Sequence, residues 1–389
     1  MKPLSITNYT FTSCLGVGKQ ANWEAIQAGR SGLQPCDFYQ IQDLVTWVGK
    51  VSGLEQPLPA EFSKYECRNN RLAWLALQQD NFITSAQSAI ARYGAERVGV
   101  FLGTSTSGIH QTELAYIESL DPLPEWYYYA STHNAFSVAD FVQHVLGTLG
   151  PAMVISTACS SSAKVFASAY RAIANGLCDA VVVGGVDSLC LTTLYGFNAL
   201  QLVAPDKCKP FDINRNGISI GEAGGYALLE KGVSGDFALL GYGESGDAYH
   251  MSSPHPEGEG ALLAMQAALR KANLNPADID YINLHGTGTI ANDAAESKAV
   301  NTLFGANTWA SSTKGWTGHT LGAAGIVEAS IGLLSMAHSH IPQNLHLETR
   351  DPNMAIALVE QPQRQPVKRI LSNSFGFGGS NCSLILGMQ

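Results

Sequence analysis

The sequence predicts an α/β fold built around buried central strands, and three patterns carry that prediction. Short runs rich in β-branched residues alternate with longer alanine-rich stretches. The runs are apolar along their length rather than alternating, as strands covered on both faces are. They end in Gly, Ser or Thr, which puts polar loops where α/β proteins build their sites.

The elements follow in order. "VGVFLGT" from Val98 and "AMVIST" from Ala152 read as strands, and the second runs into "ACSSSAKV". From Ala163 to Asn175, Val165, Phe166, Ala169 and Ile173 keep a helical spacing, and Asn175-Gly176 is a stop signal. "AVVVGGVDS" from Ala180 is the next strand, and "KGVSGD" from Lys231 to Asp236 is turn-like. Beyond it come "YINLHGTGT" from Tyr281, "TWASSTKGWTGHTLGAAGIVEASIGLLSMAH" from Thr308 and "RILSNSFGFGGSNCSLIL" from Arg369. The stretch after Ala152 and the one after Thr308 share an order of strand, small polar loop and helix. Either βα units simply resemble one another, or the chain is a duplication with halves 1–232 and 233–389 facing one site.

Bulk properties narrow the function classes. A chain of 389 residues, 46% hydrophobic and 14% charged, reads as a compact soluble protein with a large core. A formal charge of -9 and the lack of a basic run argue against nucleic-acid binding, because a phosphate backbone needs a concentrated cationic face. Eight cysteines without paired CxxC spacing suggest neither a disulfide framework nor a zinc site. No apolar leader region and no run of roughly 18 apolar residues stand out, so a cytoplasmic protein without a membrane span is expected.

Four stretches hold chemistry. Cys159 sits where a strand gives way to a helix, and free N–H groups there would favour a thiolate. A buried structural cysteine is the competing reading, and it stands for every other cysteine in the chain. His285 ends an apolar strand before a permissive "GTGT" turn. Lys314 and His319 share a loop ahead of the small-residue helix "LGAAGIVEAS". In "SNSFGFGGSN", glycines flank Phe377, with Phe375 just before, so a ring could swing and an N–H could serve an oxyanion; a tight hairpin is the bland alternative. Glu222, between glycines in "NGISIGEAGG", is either functional or simply exposed. A nucleophilic thiol with two neutral histidine donors suits carbon–carbon bond formation on thioesters. A hydrolytic Cys–His pair needs one base and an orienting carboxylate or amide, which this set fits poorly.

"TACSSS" from Thr157, "HGTGT" from His285, "STKGWTGHTLGAAG" from Ser312 and "NSFGFGGSN" from Asn373 resemble, in order, the motifs of β-ketoacyl-acyl-carrier-protein synthases. "KPFDINRNGISIGEAGG" from Lys209 and "NDAAESKAV" from Asn292 extend the resemblance over most of the chain beyond Val98. It implies a thiolase-like fold: two similar βαβαβαββ halves in α-β-α-β-α layers, usually dimeric, with the site between the halves. It implies that Cys159 is acylated, and that His285 and His319 promote decarboxylation and stabilise the enolate. Lys314 would organise the electrostatics around His285 and Glu222. The N–H groups of Cys159 and Phe377 would form the oxyanion hole, with Phe377 and Phe375 at the gate. No metal or other cofactor is required.

Asn216 stands where the family often has Asp, and "GEAGG" replaces "GEGAG". The segment "EWYYYASTHNAFSVADF" from Glu125, with His133, and Thr106 in "GTSTSG" differ from housekeeping fatty-acid enzymes, so both residues are expected to shape the substrate pocket. "LGTSTSG", "DAYHMSSPHPEGEGA" and "INLHGTGT" are most similar to ketosynthases of bacterial aryl-polyene clusters, which pair with a chain-length-factor subunit lacking the cysteine. The implied partners are an acyl carrier protein and either a second copy or such a subunit. Lys64, Arg68, Arg71, Lys207 and Lys209 are the expected docking patch for the acidic carrier, with scattered solvated charges as the alternative. The rival readings are a housekeeping fatty-acid enzyme, a thiolase using Cys382 as base, and a non-catalytic partner subunit.

Overall fold

The computed structural model describes residues 1–38 and 44–389. Its main sheet contains β1 (Leu4–Thr12), β2 (Val98–Gly103), β3 (Ala152–Ile155), β4 (Ala180–Asp187), β5 (Ala223–Glu230), β6 (Phe237–Gly246), β7 (Tyr281–Leu284), β8 (Trp309–Ser312), β9 (Ala357–Leu358), β10 (Arg369–Gly376) and β11 (Ser380–Met388). The spatial order is β9-β8-β7-β10-β11-β6-β1-β5-β4-β2-β3.

That order contains one arrangement twice. The first five strands lie third, second, fourth, fifth, first (β3-β2-β4-β5-β1), and of the six from β6 onward all but the edge strand β9 repeat that arrangement as β8-β7-β10-β11-β6. Directions repeat as well. β2 is parallel to β3 and β4, and β7 is parallel to β8 and β10. β5 is antiparallel to β4 and β1, and β11 to β10 and β6. Among the described residues the two sets of strands pair only where Leu4 to Ile6 meet Phe237 to Leu239.

Two helices fill the space between the sets. Ser161–Ala174 and Ala324–His338 each follow the third strand of their half and touch strands of both halves. They approach closely because Gly325 has no side chain: a Cβ there would stand 2.4 Å from the Ala163 nitrogen. Every residue from Ala324 to Met336 is buried, so this helix is covered on all sides, the carboxylate of Glu328 included. The stretch Leu321–His338 is apolar and long enough to cross a membrane, but 89% of it is buried inside the protein, as a core helix is. Helices such as Arg68–Leu77 and Glu259–Ala272 cover the outer sheet faces, completing α-β-α-β-α layers.

Strand register then places the loops. Leu284 pairs with Ser312, so the residues that follow, His285 and Lys314, leave the sheet side by side. Gly103 pairs with Ile155, which sets the Thr104 to Ser107 loop beside the turn into Cys159. These carboxyl strand ends converge between the halves.

Candidate active site

Cys159 is held by a strained turn. Ala158 takes φ 50°, a left-handed conformation that costs a residue with a Cβ energy, on the order of 1 kcal/mol. Hydroxyl groups hold it there: Ser160 Oγ donates to the Thr157 carbonyl at 2.9 Å, and Ser161 Oγ donates to the Ala158 carbonyl at 2.6 Å while accepting the Thr157 N–H at 2.9 Å. The small polar residues around the cysteine thus turn the chain sharply between β3 and the helix. Gly376 lies against this turn, where a Cβ would meet the Thr157 oxygen at 2.7 Å.

His319 Nε2 is 3.0 Å from Cys159 Sγ. Its other nitrogen, Nδ1, accepts the Leu321 N–H at 3.2 Å, so in the neutral ring the proton sits on Nε2. His285 is set the same way: Lys314 Nζ donates to its Nδ1 at 3.2 Å. Both rings therefore present an Nε2–H, and they stand edge to face with centroids 5.4 Å apart. Lys314 also donates to the His285 carbonyl and pairs with Glu328, all within a buried cluster. Glu296 accepts the His285 N–H at 2.8 Å and the Gly286 N–H at 2.7 Å, fixing the strand end from behind.

Burial and one cation set the charges. Burial, then the Lys314 ammonium, holds both histidines well below the ordinary imidazole range, so they are neutral donors at pH 7. Burial pushes the Cys159 thiol up to about 12, although Lys314 and the Phe377 N–H pull it down. The thiolate that a helix N-terminus would favour is therefore opposed here by burial. Cys159, His285 and His319 offer ligand atoms within 4.8 Å of one another, as a metal site would. Their donor chemistry opposes one, because each Nδ1 faces a hydrogen-bond donor and leaves Nε2 protonated rather than free to ligate.

A cavity of about 360 Å³ reaches Cys159, His285 and His319, with Phe375, Phe377, Phe197 and Asn216 in its wall. The Phe377 ring lies 5.6 Å from that of Phe197, and Phe375 stands 5.8 Å from His285. Gly378 and Gly379, at φ 77° and 73°, let the chain reverse beside Phe377. Asn381 donates to Asp247 at 2.6 Å and ties this loop to the next one.

Several expected residues lie elsewhere. Glu222 does not reach Lys314; it pairs with Arg68 through Nε at 2.8 Å and accepts the N–H groups of Val51 and Leu189, each at 2.9 Å. Lys314 takes Glu328 instead, one helical turn into the central helix, where the sequence shows only a lone acid in an apolar run. Arg68 is therefore spent inside the fold, and Arg71 is held by Glu66 and the Leu54 carbonyl. Lys209 pairs with Glu348 at 3.0 Å, while Lys207 lies over the Trp47 ring and Lys64 over that of Tyr65. Thr106 is fully buried and gives both its N–H and its hydroxyl to Asp187, so it does not line the cavity. His133 is also absent from the wall, its Nδ1 lying 2.7 Å from Thr112 Oγ1. Cys382 is buried within β11 and does not line the cavity, which removes the thiolase base. Glu328, Glu296 and Asp187 escape a reading by motif. Asp187 accepts Gly322 N–H at 2.5 Å and Thr104 Oγ1 at 2.6 Å, joining the halves next to His319.

Residues 1–233 match the β-ketoacyl synthase N-terminal domain and residues 237–348 the β-ketoacyl synthase C-terminal domain. A 3-oxoacyl-[acyl-carrier-protein] synthase 2 of Staphylococcus aureus is 33% identical over 99% of this chain and 98% of its own. Among solved structures, a ketosynthase from Xenorhabdus doucetiae in complex with its chain length factor superposes with TM-score 0.94 at 39% identity, covering 100% of this chain and 98% of that one. The ishigamide ketosynthase/chain length factor gives TM-score 0.90 at 25% identity, covering 100% and 99%.

Proposed function

The chain belongs to the β-ketoacyl synthase family, and on that premise we propose that it is the catalytic subunit of an aryl-polyene ketosynthase, acting on carrier-bound thioesters. The observation that carries this is the pair of Nε2–H donors beside a thiol: His319 3.0 Å from Cys159 Sγ, and His285 with its Nδ1 occupied by Lys314.

Each step follows from these groups. Cys159 Sγ attacks the acyl thioester, the carrier's thiolate leaves, and the thiol proton goes with it. The malonyl thioester then enters. Its bond to the carboxylate breaks, CO2 departs, and the electron pair becomes an enolate whose oxygen accepts from His285 and His319. Neutral rings suit this, since each can donate without losing its proton. The enolate carbon attacks the acyl carbonyl, whose oxyanion accepts the N–H groups of Cys159 and Phe377. Collapse expels the Cys159 thiolate, which takes up a proton, and the product is a β-ketoacyl thioester two carbons longer.

Similarity of "LGTSTSG" and "DAYHMSSPHPEGEGA" to aryl-polyene ketosynthases supports the pathway, as does the likeness to the Xenorhabdus ketosynthase. A partner subunit fits the open edge of the sheet: among the described residues β3 has no neighbour on one side, and Met153 in it and Leu149 just before it are exposed. We place the division between the halves at residues 232 and 233. A cytoplasmic setting agrees with eight cysteines that are all free.

The test is to weigh protein and product after incubation with acyl- and malonyl-carrier protein. Cys159→Ala should abolish acylation, and His285→Ala should keep acylation while blocking extension by two carbons. Full acylation of Cys159→Ala would overturn the assignment.

A further inference from the structure

Asp187 ends β4 with its carboxylate buried between the halves, and it does not line the Cys159 cavity. Its Oδ1 accepts the Thr104 hydroxyl at 2.6 Å, the N–H groups of Ser105 and Thr106 at 2.9 Å, and the Thr106 hydroxyl at 2.9 Å. Its Oδ2 accepts the Ser105 hydroxyl and, from the second half, the Gly322 N–H, each at 2.5 Å. All these donors are uncharged. A buried carboxylate held in this way is costly, so both oxygens depend on the donors aimed at them. The halves also touch closely here: a Cβ on Gly322 would stand 2.7 Å from Asp187 Oδ2 and 2.8 Å from the Ser105 nitrogen.

Gly322 follows the residue that sets the His319 tautomer. Leu321 takes φ 54°, a left-handed conformation that is strained for any residue with a Cβ, and its N–H points back at His319 Nδ1, 3.2 Å away. The two ends of this turn are tied to different segments. At one end the His319 N–H donates to the Ser219 carbonyl at 2.7 Å, and the His319 carbonyl accepts the Gly221 N–H at 2.9 Å. At the other, the peptide group after Leu321 is held by Asp187, with Ser105 Oγ accepting the same Gly322 N–H at 3.2 Å. Asp187 thus reaches the reacting centre indirectly. The Gly322 N–H fixes the Leu321 backbone, and the Leu321 N–H fixes the ring whose Nε2 is 3.0 Å from Cys159 Sγ.

Resting on the reading of the chain as a ketosynthase, we infer that Asp187 is a positioning residue: by holding the Leu321–Gly322 peptide it keeps the His319 proton on Nε2, facing the thiol and the enolate oxygen. Without that hold Leu321 relaxes from its strained conformation, Nδ1 loses its donor, and the ring takes the other neutral tautomer. A bare Nε2 then faces Cys159. It has no proton to donate to the enolate oxygen, and it accepts the thiol proton instead, which leaves a thiolate beside an imidazolium.

Asp187→Asn separates this role from packing. The amide keeps the side chain's size and an oxygen for the donors on the Oδ1 side, but sets an NH2 group against the Gly322 N–H. NMR of protein with isotope-labelled histidine rings, the His319 signals being those lost in His319→Gln, should show a proton on Nε2 alone in the unsubstituted chain and a proton on Nδ1 in Asp187→Asn. Iodoacetamide alkylation of Cys159 at pH 7 rises roughly tenfold or more in the variant. With octanoyl and malonyl groups on a bacterial fatty-acid carrier protein, kcat for condensation falls about 100-fold while KM stays level. Ser105→Ala, which removes a hydroxyl shared by Asp187 and the Gly322 N–H, moves the ring signal and the alkylation rate the same way by less, and it decides the matter if Asp187→Asn does not fold. Thr104→Val, which takes a hydroxyl from Oδ1 alone, lowers stability but leaves both readouts as they were. A His319 ring protonated on Nε2 alone in Asp187→Asn overturns the inference, as does an equal shift of the ring signal in Thr104→Val. If the unsubstituted protein extends no carrier-borne chain, the ketosynthase reading fails, while the ring signal and the alkylation rate still judge Asp187.

Discussion

At Lys314 one ammonium group, 1% exposed, meets His285 twice and Glu328 once. It fixes the His285 tautomer, keeps both imidazoles neutral, and needs Glu328 to offset its own burial. Removing the lysine alone leaves a carboxylate stranded in the core. Lys314→Met should destabilise the fold by about 3–5 kcal/mol in urea unfolding, and Lys314→Met with Glu328→Leu should recover much of that. Condensation should stay lost in both, because the tautomer lock is gone. Recovery of activity in the double variant would show that Lys314 serves stability alone. At Cys159 the protonated resting thiol predicts that iodoacetamide alkylation rises about tenfold per pH unit from 7 to 9 without a plateau. A plateau below pH 8 would mean that the helix N-terminus outweighs burial after all.

The two central helices decide how the halves meet. Gly325 and Gly332 lie on the same helix, but an added Cβ meets different obstacles. At Gly325 it would come 2.4 Å from the Ala163 backbone nitrogen, and at Gly332 1.9 Å from Ile370 Cδ1, the free end of a side chain. Backbone at the start of the Cys159 helix cannot yield without moving the thiol, whereas an isoleucine tip can rotate. Gly325→Ala should therefore cost about 1–3 kcal/mol and slow Cys159 acylation, with Gly332→Ala milder in both assays. A larger effect of Gly332→Ala would contradict this account of the helix contact. The strand-to-loop junctions of both helices were legible in the sequence because small residues cluster there. That the helices pack on each other was not, since an apolar stripe does not name the surface that covers it.

Across the whole molecule, buried titratable groups couple stability to pH. His285 and His319 have folded pKa values below that of the unfolded chain, so the unfolded state takes up their protons as pH falls below about 6.5, and stability is lost. Glu296 works in the opposite sense: burial raises it to about 7, so between its unfolded pKa of 4.5 and that value the folded state binds the extra proton. Replacing it removes that offset. Glu296→Gln should steepen the acid loss between pH 5 and 6.5 by about 1.4 kcal/mol per pH unit, read from urea unfolding at each pH. At the open edge of β3, Leu149→Lys with Met153→Lys should shift the mass seen by light scattering from dimer toward monomer. A mass unchanged at any concentration would remove that edge from the interface.

The strand runs could be read from the sequence, and Cys159, His285, Lys314 and His319 stood out there as candidates through motifs that resemble the family's, while a duplication remained beside the reading that βα units simply resemble one another. What only the tertiary structure decided was the pairing of buried charges. Glu222 and Glu328 are both single acids among small or apolar residues; one meets Arg68 and the other Lys314. Choosing between them depends on which side chains come within hydrogen-bond reach when the two halves close, and sequence separation carries no such distance. The same holds for the thiol: a helix N-terminus is visible in a sequence, but the desolvation that opposes it exists only once the second half covers Cys159.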